Sequence, residues 1–295
     1  MKILLTGRNG QLGFELQRAL APLGDVVAVD SGECDLSDAA AIRQMVRQLG
    51  PDLIVNPAAF TAVDAAEDQR DLVMAVNATA PEVLGQEAQA LGIPVFHYST
   101  DYVFDGTKTS AYQETDATAP LSAYGVSKQQ GEIRLQAATP RHLIMRTSWV
   151  FGMQGQNFAK TMLRLAQERD ELRVVNDQVG APTPASLLAD LTAHLVRQIR
   201  TSGADAFPFG LYHVSAGGET SWYDYARHVL EQATIRGYAL KVTPDRVTPI
   251  TTDAYPTRAR RPGNSRLDTS KFRRTFGLQL PPWQQGLNHT LQHIL

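Results

Sequence analysis

The 295-residue chain is 43% hydrophobic and 20% charged, enough core material for one large α/β domain or for a nucleotide-binding domain with a smaller lobe. Its 28 Lys and Arg against 30 Asp and Glu leave a net charge of −2, so no broad positive field exists to hold nucleic acid or an anionic membrane. No apolar run reaches the roughly 18 residues of a membrane span, no signal peptide is expected, and the lone cysteine, Cys34, reads as a small packed side chain in a cytoplasmic protein.

The first half alternates β-rich runs with helical periodicity. Lys2–Thr6 (KILLT) predicts a buried strand, and Gln11–Leu23 a helix with Leu12, Leu16, Ala19 and Leu20 on one face. A strand at Val26–Val29 and a helix at Ala39–Leu49, capped by Asp38, follow. Next come a strand at Leu53–Val55, a helical stretch over Leu72–Leu91 with a restart near Pro81, and a strand at Val95–Ser99. A helix at Ser122–Gln136 and a strand at Leu143–Arg146 complete the series. Such alternation implies right-handed βαβ units and a Rossmann-type, doubly wound parallel sheet with helices on both faces.

Beyond Val150 the pattern loosens. Strands are expected at Arg173–Val175, Leu211–Val214 and Lys241–Val242. Helices are expected at Asn157–Gln167, Pro184–Ile199, Ser221–Gln232 and Trp283–His293, with prolines gathered between them. The chain therefore divides into a nucleotide-binding domain over residues 1–150 and a smaller substrate lobe over residues 151–295, with some chain crossing back to the sheet.

Gly7–Gly13 reads GRNGQLG, placed between the first strand and the first helix. Gly7 permits the tight turn, Gly10 lets the backbone approach a pyrophosphate, and Gly13 lets helix and strand pack closely. Free N–H groups of Gly10, Gln11 and Leu12 would face the phosphates at the positive end of the helix. Asp30, ending the second strand, is placed to accept hydrogen bonds from adenosine ribose hydroxyls, which favours NADH. Arg8 in the loop is equally a surface charge or a partner for a 2′-phosphate, so NADH and NADPH both stay open. Asp35 and its neighbour Leu36, in the run CDLSD, fall where a side chain can meet adenine.

Tyr124 and Lys128, in YGVSK, share one helix face at a spacing of four. A phenol with a pKa of about 10 is a poor acid at neutral pH, and a nearby ammonium would lower it while holding the nicotinamide ribose. One such pair is weak evidence alone. Ser99–Gly106 (STDYVFDG) adds Thr100 at the carboxyl end of the fourth strand, where open α/β sheets bind ligands. Thr100 could place a hydroxyl on the same carbonyl oxygen as Tyr124, and carbonyl reduction becomes the expected chemistry.

The ordered series GRNGQLG, NPAAFTAVDAAE, STDYVFDG, YGVSK, RTSWVFG and RRPGNSRLDTSKF resembles the extended short-chain dehydrogenases, and within them the dTDP-4-dehydrorhamnose reductase family, across nearly the whole chain. The resemblance implies hydride transfer from NADPH or NADH to a dTDP-linked 4-keto sugar, with no nucleic acid or membrane partner and a homodimer as one possible assembly. It implies that Ala59, Phe60, Thr61 and Tyr98 line the cofactor, and that Thr100, Asp101, Tyr124 and Trp149 meet the sugar in a pocket shaped by Val63 and Phe104. Members of the family are described with a magnesium ion held between subunits by glutamates. Glu15 matches one such position, but Ser186 and His293 stand at the others and are poor magnesium ligands, so no metal is assigned. Glu15 is instead expected on an exposed turn of the first helix. The resemblance leaves two alternatives: a nucleotide-sugar epimerase with retained NAD, and a non-catalytic regulatory subunit that binds the cofactor.

Overall fold

In the computed structural model, which describes residues 1–295, the early β-rich runs all enter one sheet. β1 (Lys2–Leu5) leads to α1 (Gln11–Leu20), and β2 (Asp25–Ala28) to α2 (Ala39–Leu49). β3 (Leu53–Asn56) leads to a helical run in which α3 (Arg70–Met74) and α4 (Ala80–Leu91) are joined by a π turn over Ala75–Thr79. β4 (Val95–Thr100), α5 (Ala123–Ala138) and β5 (His142–Thr147) complete the first half.

Then follow β6 (Val150–Phe151), α6 (Phe158–Glu168), β7 (Leu172–Val175), β8 (Val179–Gly180), β9 (Thr183–Pro184) and α7 (Ala185–Ser202). The chain ends with β10 (Gly210–His213), β11 (Thr220–Ser221), α8 (Trp222–Ile235), β12 (Val247–Ile250), α9 (Ser270–Phe276) and α10 (Trp283–Ile294).

The main sheet runs β10-β5-β4-β3-β1-β2, every neighbouring pair parallel. Its strands are apolar on both faces because each face is covered by helices. Ile3, Leu5, Leu53, Val55, Phe96, Leu143 and Met145 pack with Leu12, Leu16 and Leu20 of α1 and Leu188, Leu195 and Val196 of α7. The alternate residues Leu4, Ile54, Val95 and Ile144 pack with Ile42 and Val46 of α2, Leu84 and Ala88 of α4 and Leu135 of α5. Burial of these two layers, at about 25 cal/mol per Å² of apolar surface removed from water, stabilises the sheet. From β1 the chain steps to β2 on one side, then crosses back over β1 to β3 on the other. That reversal opens a crevice at the carboxyl ends of the strands, the usual ligand position in such sheets.

A third core joins α6, α8 and α10, through Met162, Leu163, Tyr225, Val229, Trp283, Leu287 and Leu291, and receives Leu172 and Val174 of β7. The predicted strand at Lys241–Val242 is absent. Both N–H groups turn onto the Ala166 carbonyl near the end of α6, and Val242 is buried as a packing residue. The partner of β7 is β12, a short strand that includes Pro249. Glu15 also departs from expectation. It is 3% exposed, with Arg18 Nε at 3.4 Å.

Candidate active site

The loop after β1 does what its glycines suggest, with one change. Gly7 has φ +64°, a left-handed conformation, and a Cβ on it would lie 2.9 Å from the Ala58 side chain. A Cβ on Gly13 would fall 2.0 Å from the Gly7 carbonyl oxygen, so only glycine lets α1 pack on the loop. The N–H of Gly10 is not free, because it closes the turn onto the Gly7 carbonyl at 3.0 Å. Gln11 and Leu12 open the helix with no side-chain cap, and their N–H groups precede the first bond of the helical ladder, from Phe14 to Gly10. They remain open at the positive end of the helix, where an anion can be bound.

Asp30 stands beside this loop. It accepts from the Gly32 N–H at 2.9 Å and from the Asn9 side chain, and its carboxyl is held below the ordinary carboxylate range, chiefly by the Gly32 bond. Arg8 lies 3.3 Å from Asp30 and 2.7 Å from Glu33. Its guanidinium is thus already paired with the two carboxylates beside it. Asp35 accepts from the N–H and hydroxyl of Ser37, both at 2.8 Å, and lines the cleft together with Leu36 and the buried Cys34.

The cleft continues from this end to the ends of β4 and β5, a volume of about 950 Å³. Tyr124 sits in the first turn of α5, where Ser122 accepts from the Gly125 N–H as the cap. The turn presses so close to the preceding loop that a Cβ on Gly125 would lie 2.3 Å from the Tyr102 carbonyl oxygen. Thr100 ends β4 and donates to Asp101 at 3.0 Å. Burial pushes the Tyr124 phenol well above its ordinary range; the Asp101 carboxyl reinforces the shift and the Thr100 hydroxyl opposes it. The expectation that Lys128 lowers this phenol is therefore corrected. Removing the phenol from water dominates, and Tyr124 is held protonated, as a proton donor must be.

Lys128 is 1% exposed; its ammonium donates to the Tyr98 carbonyl at 2.6 Å and lies 3.1 Å from Nε2 of His97. Burial pushes it down to about 8, with Glu132 opposing. Asp101 is fully enclosed and pushed up to about 6 by burial, with hydrogen bonds from Ser265 and Thr100 opposing.

Of the remaining expected residues, Ala59, Thr61, Val63, Tyr98 and Trp149 line the cleft. Tyr98 shares its hydroxyl with Thr192 of α7 at 2.6 Å. Trp149 has φ +48°, the only non-glycine residue with a positive φ, and stacks on Trp222 with ring centroids 3.6 Å apart. A Cβ on Gly180 would come within 2.7 Å of the Trp149 indole, so the ring has little freedom. Two of the expected residues lie off the cleft wall. Phe60 is next to it in sequence, its backbone N–H and carbonyl both bound by the Asn77 side chain at 2.8 and 3.0 Å. Phe104 is buried in a small separate core, stacked on Tyr112 at 4.1 Å and under the Arg146 guanidinium at 5.0 Å.

Sequence reasoning missed Trp222, Tyr225, Asn157 and Arg261, all on the cleft wall. They come from the second lobe, where no fixed spacing marks them; Arg261 alone lay within a quoted motif. Arg261 pairs with Asp64 at 2.8 Å. The wall also carries buried polar atoms without protein partners: Ser99 Oγ, Thr147 Oγ1, Asp101 Oδ2 and the Tyr225 hydroxyl. Buried polar groups are rarely left unpaired, so these fit a polar ligand. With the glycine cradle and the two open helix donors, the residues fit a nicotinamide dinucleotide and a polar substrate. No group of three or more His, Cys, Asp or Glu is placed to hold a metal ion.

Comparison with known proteins gives a consistent result. Residues 1–295 match the family described as RmlD substrate binding domain. A dTDP-4-dehydrorhamnose reductase of Salmonella typhimurium is 52% identical, covering 100% of this chain and 98% of the relative. One from Burkholderia thailandensis is 45% identical, covering 100% and 99%. The crystal structure of a dTDP-4-dehydrorhamnose reductase from Bacillus anthracis in complex with NADP superposes with a TM-score of 0.90 at 34% identity, covering 99% of each chain.

Proposed function

The chain belongs to the RmlD substrate binding domain family, and from that premise we propose that it reduces dTDP-4-dehydrorhamnose to dTDP-L-rhamnose with NAD(P)H. The observation that carries the reading is the placement of Thr100, Tyr124 and Lys128 on the wall of the same cleft that begins at the phosphate loop. Residues 1–150 form most of the cofactor side, with α7 and β10 returning to it, and the rest of residues 151–295 supplies the substrate side. A cytoplasmic location is part of the same proposal, since both substrates are soluble nucleotides.

Gln11 and Leu12 offer their N–H groups to the cofactor diphosphate, and Asp30, Asp35 and Leu36 meet its adenosine end. Ala59, Thr61 and Tyr98 form the wall along its middle. Lys128 directs an N–H to the nicotinamide ribose. The reduced nicotinamide, when bound, supplies the hydride to C4 of the sugar.

Thr100 and Tyr124 direct their hydroxyls at the keto oxygen, where negative charge develops. Tyr124 gives its phenolic proton to that oxygen as the carbonyl becomes an alcohol, and water returns a proton to the phenolate left behind. Asp101 and Val63 border the sugar, and Trp149 on Trp222 gives it an apolar floor. Arg261, at the second-lobe side, is the cation suited to the substrate diphosphate. The test is loss of nicotinamide absorbance with a panel of nucleotide-linked 4-keto sugars. Oxidation of the cofactor with the dTDP-linked 4-keto sugar supports the reading; retention of tightly bound NAD with no net oxidation would instead mark an epimerase.

A further inference from the structure

The face of the sheet covered by α5 is apolar along most of its length and turns polar at its carboxyl end. Two residues beyond the core residues Leu4, Ile54 and Val95 come Thr6, Asn56 and His97, which are 2%, 1% and 0% exposed. They stand side by side because β1, β3 and β4 are neighbours. Thr6 Oγ1 is 2.6 Å from Asn56 Oδ1, the Asn56 carboxamide is 3.1 Å from His97 Nδ1, and His97 Nε2 is 3.1 Å from Lys128 Nζ. The chain ends on the lysine that touches the cofactor.

An ammonium has three N–H bonds. One from Lys128 goes to the Tyr98 carbonyl and one faces His97, which leaves the third for the cleft that Lys128 lines. His97 is held neutral, by burial first and by the Lys128 charge second, so it has one proton and one lone pair. To accept from the ammonium, Nε2 must carry the lone pair and Nδ1 the proton. That proton then needs an acceptor, the carboxamide oxygen of Asn56, whose NH₂ in turn donates to the Thr6 hydroxyl oxygen. If Lys128 is a neutral amine, the whole chain reverses: Thr6 donates to the carboxamide oxygen, the NH₂ donates to Nδ1, and Nε2–H donates to the amine. The two arrangements differ in the carboxamide, which is turned over, and in the imidazole proton, which sits on the other nitrogen. Neither leaves two donors face to face.

We propose that His97 is a positioning residue for the reaction: with its tautomer set by Asn56 and Thr6, it fixes the direction in which Lys128 presents its remaining N–H to the cofactor ribose. The proposal rests on the reductase reading. A histidine that merely filled the core would matter only for stability.

Three measurements test it. Nitrogen NMR of the imidazole at neutral pH, without cofactor, should show His97 neutral with its proton on Nδ1. His97→Leu should lower kcat roughly 10- to 100-fold, the scale of effect of a slightly misplaced group, and weaken cofactor affinity read by fluorescence. His97→Gln, whose carboxamide reaches the Nε2 position, should recover most of both. A proton on Nε2 at neutral pH, or a folded His97→Leu with wild-type kcat and cofactor affinity, would overturn the proposal, as would a folded His97→Gln no better than His97→Leu. If His97→Leu does not fold, the tautomer and the glutamine variant decide. If the wild type turns over no 4-keto sugar, the reductase reading fails, while the tautomer and the cofactor affinities still judge His97.

Discussion

Replacing Lys128 with methionine should stabilise the protein while abolishing its activity. The lysine is 1% exposed and its pKa is pushed from 10.5 down to about 8 by burial. At neutral pH it is charged in the folded and unfolded chain alike, so the fold bears the cost of the depression. A difference of about 2.5 in pKa at about 1.4 kcal/mol each comes to about 3 kcal/mol. Methionine keeps the length and removes the charge, but loses the bonds to the Tyr98 carbonyl and His97, at about 1 kcal/mol each. The net gain is about 1 kcal/mol, a rise in Tm of roughly 2 °C.

The sign follows from the depressed pKa. The penalty is complete below pH 8 and fades as pH rises from about 8 toward 10.5, where the folded lysine has lost its proton and the unfolded one has not. By pH 9.5 about 2 kcal/mol of the penalty is gone, so the wild type should become the more stable of the two. Thermal unfolding of both proteins without cofactor, at pH 7 and pH 9.5, reads the crossover directly. A variant less stable at pH 7, with a gap that does not change with pH, would refute the argument that the buried charge is costly.

Tyr124→Phe should lower turnover by about 10²-fold or more with little change in cofactor affinity, because it removes only the proton donor; near-normal kcat would remove Tyr124 from that role. Asp30→Ala should improve NADPH relative to NADH, since a carboxylate that repels a 2′-phosphate is gone and Arg8 is partly released; Arg8→Ala should do the reverse. Titration of both cofactors checks this, and unmoved ratios would mean that neither residue reads the ribose. Dialysis against EDTA should leave activity and solution mass unchanged. A loss on chelation that magnesium alone restores would reveal a metal site built from other ligands.

The sequence was most legible where one physical rule acts locally. Ala39–Leu49 forms the helix its periodicity predicts, with Asp38 accepting from the Ala40 and Ala41 N–H groups as its cap. The five early strands are offset by a residue or so, because strand ends depend on neighbours. Lys241–Val242 has the composition of a strand but no edge to join, whereas Val247–Ile250 forms one despite Pro249 because β7 lies beside it. Glu15 shows the same limit: α1 alone would place it toward solvent, and the assembled fold buries it. At the site, Gly7, Gly13, Tyr124 and Lys128 were readable from spacing. Phe104 was not, because only the fold shows that it turns to Tyr112 and Arg146. The direction of the Tyr124 shift was also hidden, since burial is a property of the assembled cleft.

The central claim is hydride transfer from the nicotinamide to C4 of the sugar, with the proton supplied by Tyr124. The most direct measurement supplies reduced cofactor carrying deuterium at both C4 positions, together with dTDP-4-dehydrorhamnose, and locates the label in the product by NMR. The account predicts one deuterium on C4 of dTDP-L-rhamnose for each cofactor oxidised. A product with no deuterium at C4, or a converted sugar with no cofactor oxidised, would contradict it.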